Sequence, residues 1–364
     1  MDNIQIKVFF YPHPYLRDRQ LDTIRRWPVS NICNPEIAVN RVGAQVPKSK
    51  AVQVKIKRPW KQILPLLNIK FRPKSAPLSS VVYVWGGLIA SGAFIIDIDN
   101  PWSLVGYNLR AMSLYRWIIK NILLSKRCKE IRCMSESCRL SLKELFGEQV
   151  YLKASVHYPK ISQVVHELPE ISNECRFLFV GTQFELKGGE ALLKAFSRVY
   201  QRLGTGHLDI ITHLPEKFES LAKSCPGIHI HPAQFTREQI HQEFMTKADV
   251  LIHPTYVDSF GMVILEALSY GLAVIATDIY AIHEMVWPNE NGTLLTPPIS
   301  IWNGVMPSKY YYHLSSINQH IQNSDTKLFE SQLEAAIEKF IVDETWRISA
   351  RKNSIKIIKE RFAC

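Results

Sequence analysis

Ala248-Asp249-Val250-Leu251-Ile252-His253-Pro254-Thr255-Tyr256-Val257-Asp258-Ser259-Phe260-Gly261-Met262-Val263-Ile264-Leu265-Glu266-Ala267-Leu268-Ser269-Tyr270-Gly271 is the stretch from which the fold is read. Val250 to His253 is a short apolar run of strand length, as in a buried strand. It ends in His253-Pro254-Thr255. An acidic loop follows, then the Ser259-Phe260-Gly261 turn, then a helix from Gly261 to Tyr270 with Glu266 in its second turn. A helix N-terminus presents unpaired N–H groups and the positive end of a dipole, so it can hold an anion. Gly261 lets the backbone approach a ligand closely. Glu266, more than one turn into the helix, is placed to accept hydrogen bonds from both hydroxyls of a ribose. The stretch suits a nucleotide diphosphate.

The same strand-helix alternation extends on both sides. Strands are expected at Phe177–Val180, Leu208–Thr212, Ile228–Ile230 and Ala273–Ala276. Helices are expected at Gly189–Arg202, Glu216–Ser224 and from a Thr236 cap to Lys247. Such alternation implies a parallel, doubly wound sheet. Ligands of such sheets bind beyond the carboxyl ends of the strands. Earlier in the chain, Ile4–Phe10, Val81–Trp85, Ala93–Ile98 and Glu130–Met134 read as strands. Asn108–Ser125 reads as a helix with Leu109, Met112, Tyr115 and Ile119 on one side. Ser135 caps a further helix that ends at Gly147. Residues 157–174 read as a linker, and 299–325 as irregular and aromatic. Leu328–Arg361 reads as two helices meeting near Asp343.

With 364 residues, two domains are the natural division. The expected boundaries are an N-terminal acceptor-binding domain over 1–165, a donor-binding domain over 166–340, and a C-terminal helix over 341–364 that packs back toward the first domain. Residues 1–150 hold 24 Lys and Arg against 10 Asp and Glu, whereas the rest of the chain is slightly acidic, so the net charge of +11 lies in the first half. A basic domain suits an anionic partner. With no nucleic-acid motif beside the charge, lipid headgroups or a lipid-pyrophosphate acceptor rank above nucleic acid. The longest apolar run, Val81–Ile96, is broken by glycines and falls short of the roughly 20 residues of a spanning helix. The N-terminus lacks the basic and apolar regions of a signal peptide, so a cytoplasmic protein is expected. Seven cysteines without a C-x-x-C spacing argue against a disulfide framework or a structural zinc site.

The opening stretch resembles the donor-domain signature of the retaining glycosyltransferases of family 4, in which two carboxylates are separated by seven residues and flanked by Pro-Ser and Phe-Gly. Here the pair is Asp258 and Glu266, with Asp in the place of the more usual Glu. Phe177–Phe196 resembles the family's strand, glycine loop and Lys-Gly helix start. Gly271–Val286 resembles its next strand and helix. The resemblance covers about residues 175–296 and implies a GT-B fold: two Rossmann-like, doubly wound domains facing a cleft. It also implies transfer, with retention, of a sugar from a UDP- or GDP-sugar to a glycan hydroxyl, on a lipid-linked acceptor or a cell-surface polysaccharide. In the reading it implies, Lys187 neutralises the departing diphosphate, Asp258 orients the sugar and Glu266 holds the ribose. Gly181, Thr182, Gln183, Pro254, Ser259, Phe260, Gly261 and Met262 line the donor. The family's usual arginine partner of the lysine is absent, since Thr182 and Leu186 stand in its places, and Arg237 is a candidate replacement.

On the acceptor side the candidates are His13, Trp85, Gly86, Gly87, Asp97 and Asp99. Asp97-Ile98-Asp99 also has the D-x-D form used to hold divalent ions, but a GT-B enzyme needs no metal, and no cofactor is expected. Three other readings stay open: a sugar-nucleotide-binding protein without transferase activity, a basic membrane or nucleic-acid adaptor, and a nucleotide-sugar epimerase on the same fold.

Overall fold

A computed structural model describes residues 6–12, 16–39, 66–168, 174–311 and 317–363. The chain divides into two compact units, residues 1–160 and 161–364. This boundary lies five residues before the expected one. His13 lies outside the described residues.

In the first unit, β1 (Val8–Phe10), β3 (Val81–Trp85), β5 (Phe94–Ile98), β6 (Cys128–Cys133) and β7 (Ala154–Val156) form one parallel sheet in that order. Among the described residues this order runs one way, without a reversal. Two-residue strands β2 (Ile69–Lys70) and β4 (Leu88–Ile89) pair separately. The helices are α1 (Asp18–Arg25), α2 (Glu36–Val39), α3 (Leu109–Leu124), α4 (Glu136–Phe146) and α5 (Glu148–Lys153). The apolar character of β3 and β5 is explained by burial along their whole length. Phe10, Tyr83 and Trp85 form an aromatic core in which Phe10 stacks on Trp85 with ring centroids 5.7 Å apart. Helix α3 buries Leu109, Met112, Tyr115, Ile119 and Leu123. Its other side leaves Leu114 70% and Trp117 75% exposed. Ser135 caps α4 as expected, its hydroxyl accepting from the Cys138 N–H at 3.0 Å.

In the second unit the strands are β8 (Arg176–Val180), β9 (His207–Thr212), β10 (Ile228–Pro232), β11 (Val250–His253), β12 (Ala273–Thr277) and β13 (Gly292–Leu295). They form a parallel sheet of order β10-β9-β8-β11-β12-β13. The order reverses between β8 and β11, and that reversal defines the topological switch point of a doubly wound sheet. Phe177, Leu178, Phe179, Val250, Leu251 and Ile252 are fully buried there. Each such side chain contributes roughly 1.5–3 kcal/mol of transfer free energy. Helices α6 (Gly189–Leu203), α7 (Glu219–Lys223), α8 (Arg237–Ile240) and α9 (Met262–Ser269) connect the strands. A two-stranded ribbon, β14 (Trp302–Asn303) and β15 (Met306–Pro307), precedes α10 (Ile317–Gln322), α11 (Lys327–Val342) and α12 (Glu344–Ile357). Asp343 separates α11 from α12 and caps the latter through the Trp346 N–H at 2.8 Å.

The C-terminal segment is built into this second unit, where α12 packs on α9 and β12. At the amino end of the sheet, Asp249 accepts from the Arg176 backbone N–H at 2.9 Å and from the Arg351 guanidinium. Arg351 also donates to the Gly271 carbonyl at 3.0 Å. One buried ion pair on α12 thus ties down the two strands that flank the switch point. Among the described residues no helix is long and apolar enough to cross a membrane. Cys33, Cys128, Cys133, Cys138, Cys175 and Cys225 are free thiols, all but Cys33 buried.

Candidate functional site

Two loops leave the carboxyl ends of β8 and β11, on either side of the switch point. The first runs from Gly181 to Gly188 and the second from Pro254 to Gly261. They are knitted together by backbone. Tyr256 N–H donates to the Leu186 carbonyl at 3.0 Å. The buried Thr277 hydroxyl donates to the Thr255 carbonyl at 2.6 Å. Gly188, in the left-handed region at φ +76°, lies so close to the second loop that a Cβ there would sit 2.0 Å from the Pro254 carbonyl oxygen. Gly188 and Gly261 precede the first turns of α6 and α9. The two helices therefore begin beside the same strand ends.

Lys187 crosses from the first loop to the second. Its ammonium donates to the Val257 carbonyl at 3.0 Å and to Asp258 Oδ2 at 2.8 Å. Asp258 is wholly engaged by the protein. Oδ1 accepts from the N–H groups of Ser259 (2.9 Å), Phe260 (3.3 Å) and Gly261 (3.1 Å). Oδ2 also accepts from His253 Nε2 at 3.0 Å. Burial alone would raise the Asp258 carboxyl. The Lys187 ammonium and the His253 hydrogen bond outweigh it and hold the group well below the usual carboxylate range. Burial pushes His253 below its ordinary value, against the pull of Asp258. A neutral imidazole that donates from Nε2 leaves Nδ1 a lone-pair acceptor. Nδ1 is buried and meets no donor among the described residues. The Trp302 indole, stacked on Tyr280 with centroids 4.1 Å apart, donates to the Asp258 carbonyl at 2.7 Å. The reading of 299–325 as irregular did not include this anchor.

Glu266 sits one turn further along α9 in its own charge cluster. Arg237 Nε lies 2.7 Å from Glu266 Oε1, and His241 Nε2 lies 3.5 Å from Oε2. The ring of His241 meets that of Tyr270 edge-on at 5.3 Å. His241 begins a single π-helical turn, His241–Met245, that continues α8. Such turns insert one residue into a helix and recur at functional sites. The helix expected from Thr236 to Lys247 is therefore a short α-turn followed by a π-turn. A period of 3.6 residues gives no sign of it. Arg237 is near the site, on the carboxylate of Glu266.

The remaining donor-side residues fall around these groups. Gly181 accepts the Thr212 hydroxyl at 2.6 Å and lies against the Lys187 stem. Thr182 and Gln183 are exposed on the first loop. Pro254, Phe260 and Gly261 are buried, with Ser259 and Met262 partly so.

In the first unit, Asp97 is buried. Its Oδ1 pairs with Arg19 at 3.0 Å and its Oδ2 accepts from the Tyr83 hydroxyl at 2.6 Å. Asp99 Oδ1 accepts from the Asn100 N–H at 2.9 Å. Among the described residues no group of three or more His, Cys, Asp or Glu is arranged to hold a metal ion. Trp85 is core. Gly86, at φ +59°, and Gly87 form the turn at the end of β3. That turn is pinned by the Asn68 amide, which donates to the Gly86 carbonyl and, at 3.0 Å, to the Ser103 carbonyl.

Residues 174–302 match the family model described as glycosyl transferases group 1. Over 151 residues, 41% of this chain, the sequence is 28% identical to lipopolysaccharide glucosyltransferase WaaG of Escherichia coli (strain K12). That match spans 40% of the relative's length. Among solved structures, Anabaena HepE in complex with UDP and glucose aligns over 98% of this chain and 96% of its own, with a TM-score of 0.60 at 12% identity. Sucrose-phosphate synthase from Thermosynechococcus elongatus aligns over 78% of this chain and 69% of its own, with a TM-score of 0.53 at 16% identity. At these identities the structural likeness speaks for the fold. The fold is GT-B, and within it residues 174–302 match the glycosyl transferases group 1 model.

Proposed function

We propose that the protein transfers a sugar from a UDP- or GDP-sugar to a hydroxyl of a glycan acceptor, with retention at the anomeric carbon. The observation that carries this reading is the Lys187 ammonium at the switch point, held beside the N-terminus of α9. A fixed cation and oriented backbone N–H groups stabilise the charge that develops on a departing diphosphate, and no reorganisation is needed at the moment of reaction. Glu266, clamped by Arg237, is the acceptor for ribose hydroxyls. Asp258 acts by shaping the Ser259–Gly261 turn and aiming Lys187, since its oxygens are already engaged within the loop. WaaG is named a glucosyltransferase and HepE is described with UDP and glucose. These names favour a UDP-sugar donor, a glucosyl unit among the candidates, and a lipid-linked or cell-surface glycan as acceptor. The reaction requires no metal or cofactor.

The test is calorimetric titration with UDP and GDP, then a transfer assay with UDP-glucose. Glu266→Ala should weaken nucleotide binding, and Lys187→Ala should lower turnover. Full activity in both variants refutes the assignment. Nucleotide binding without turnover on any glycan supports a binding protein instead, a reading favoured by Arg237 being committed to Glu266.

We also propose that the first unit rests on an anionic membrane surface at its cytoplasmic face. On α3, exposed Leu114 and Trp117 lie among Arg110, Arg116 and Lys120. This pattern suits insertion of apolar side chains among headgroups with cations above them. Trp117→Ser should reduce sedimentation with phosphatidylglycerol vesicles. Unchanged sedimentation counts against the surface.

A further inference from the structure

The carboxyl end of the first sheet holds a cation that the described part of the chain does not neutralise. Lys70 lies on β2, and its ammonium stands 4.9 Å from the centroid of the Tyr11 ring, just past the end of β1. Gly87, just past the end of β3, fits against its stem: a Cβ there would lie 3.2 Å from Lys70 Cε. Burial pushes the Lys70 ammonium down to about 8. An ammonium taken out of water is costly unless a counter-charge meets it. Among the described residues no carboxylate pairs with it. The sequence agrees, because between Glu36 and Asp97 there are ten Lys and Arg and no Asp or Glu. The ring of Tyr11 offsets part of the cost. On the same strand ends, Trp85 keeps a buried indole N–H that has no acceptor among the described residues.

We infer that Lys70, with Tyr11 and Gly87, receives an oxyanion carried by the acceptor, a phosphate or a sugar carboxylate. The site lies where parallel sheets bind ligands, past the strand termini. A half-buried ammonium suits one inserted charged group better than a flat lipid surface. Gly87 leaves room for the lysine stem, so the charge can face the ligand. Bound there, the anion supplies the missing counter-charge and offsets the cost of the ammonium's burial. This inference rests on the transferase reading for the word acceptor. The anion site itself stands on geometry within the first unit.

The experiment measures binding of inorganic phosphate and of glucuronate, in separate titrations at matched ionic strength, to the wild-type full chain and three variants. UDP is titrated in parallel. Lys70→Met should weaken the preferred anion roughly tenfold or more, the loss expected of a charge-assisted hydrogen bond. Lys70→Arg should keep most of the affinity. Lys74→Met, at an exposed lysine four residues on, should bind as the wild type does. A response to phosphate identifies a phosphorylated acceptor, and a response to glucuronate an acidic sugar. No wild-type response to either, an equal response in Lys70→Met, or an equal loss in Lys74→Met overturns the site. A fall in UDP affinity on Lys70→Met overturns the assignment to the acceptor. Absence of UDP binding by the wild type refutes the transferase reading, and is distinct from failure of the anion site with UDP binding intact.

Discussion

Asp258→Ala separates two roles for the first acid of the signature. If Asp258 only orients the sugar, its loss weakens a UDP-sugar and leaves UDP alone. The structure implies more. Three backbone N–H groups at 2.9–3.3 Å and two side-chain donors at 2.8 and 3.0 Å converge on this one carboxylate. A hydrogen bond to a charged acceptor contributes about 1.5–3 kcal/mol net. The terms do not add, because the donors share one charge and water replaces part of what is lost at a site not fully closed. About 3 kcal/mol is a reasonable total, in line with breaking a largely buried pair. That cost disorders the Ser259–Gly261 turn and frees Lys187, both of which face the diphosphate in the proposed site. UDP and UDP-glucose should therefore weaken by the same factor, roughly tenfold to a hundredfold, and thermal stability should fall. Calorimetry with the two ligands reads the ratio directly. An unchanged UDP affinity would refute the argument.

Lys187→Met should lower kcat by roughly a hundredfold or more with a smaller change in KM, as removal of one charge-stabilising donor does; steady-state kinetics would show it. Gly188→Ala should destabilise the second unit by about 3 kcal/mol or more, since the added carbon meets the Pro254 carbonyl in a left-handed backbone; a loss of less than ~1 kcal/mol in thermal denaturation would contradict the close approach. At Glu130, burial would raise the carboxyl, but hydrogen bonds from His157 and Arg132 lower it from 4.5 to about 2. The stability it contributes is present above pH 4.5 and lost as the pH falls toward 2. Because the carboxylate is partly exposed to solvent, the effect should stay below ~1 kcal/mol. Glu130→Gln should flatten that limb of the stability curve, and an unaltered acid limb would count against the pairing.

Much of the second unit is legible in the sequence because its signals are local. Val250–His253 and Phe177–Val180 are apolar runs of strand length, and Gly188 and Gly261 stand where helices begin. Asp343 marks the break between the last two helices. The role of Asp258 is not local. Lys187 lies 71 residues away, and Trp302 reaches the same residue from 44 residues downstream. Nothing in the spacing of one acid reports how many donors surround it. His241 was obscured differently, by a π-turn that breaks the helical period, and the partner of Arg237, Glu266, comes from another helix. In the first unit, the two-residue strands β2 and β4 are too short to leave a pattern, so the position of Lys70 follows only from tertiary structure. Asp97 and Asp99 looked available as a pair. The partners of Asp97, Arg19 and Tyr83, come from other elements.

The ion pair of Asp249 and Arg351 bears on how the second unit assembles. The two residues are 102 positions apart. Asp249 lies just before β11 and touches the start of β8, so both strands at the switch point depend on a guanidinium supplied near the end of the chain. A charge with its partner missing is costly inside a core. During synthesis, β8 to β13 emerge before residue 351 does, and for that interval Asp249 lacks its counter-ion. Contacts of such long sequence separation form late. The seating of the amino ends of β8 and β11 should therefore be among the last features to set. A ribosome stalled between residues 300 and 351 should hold this unit in a protease-sensitive form.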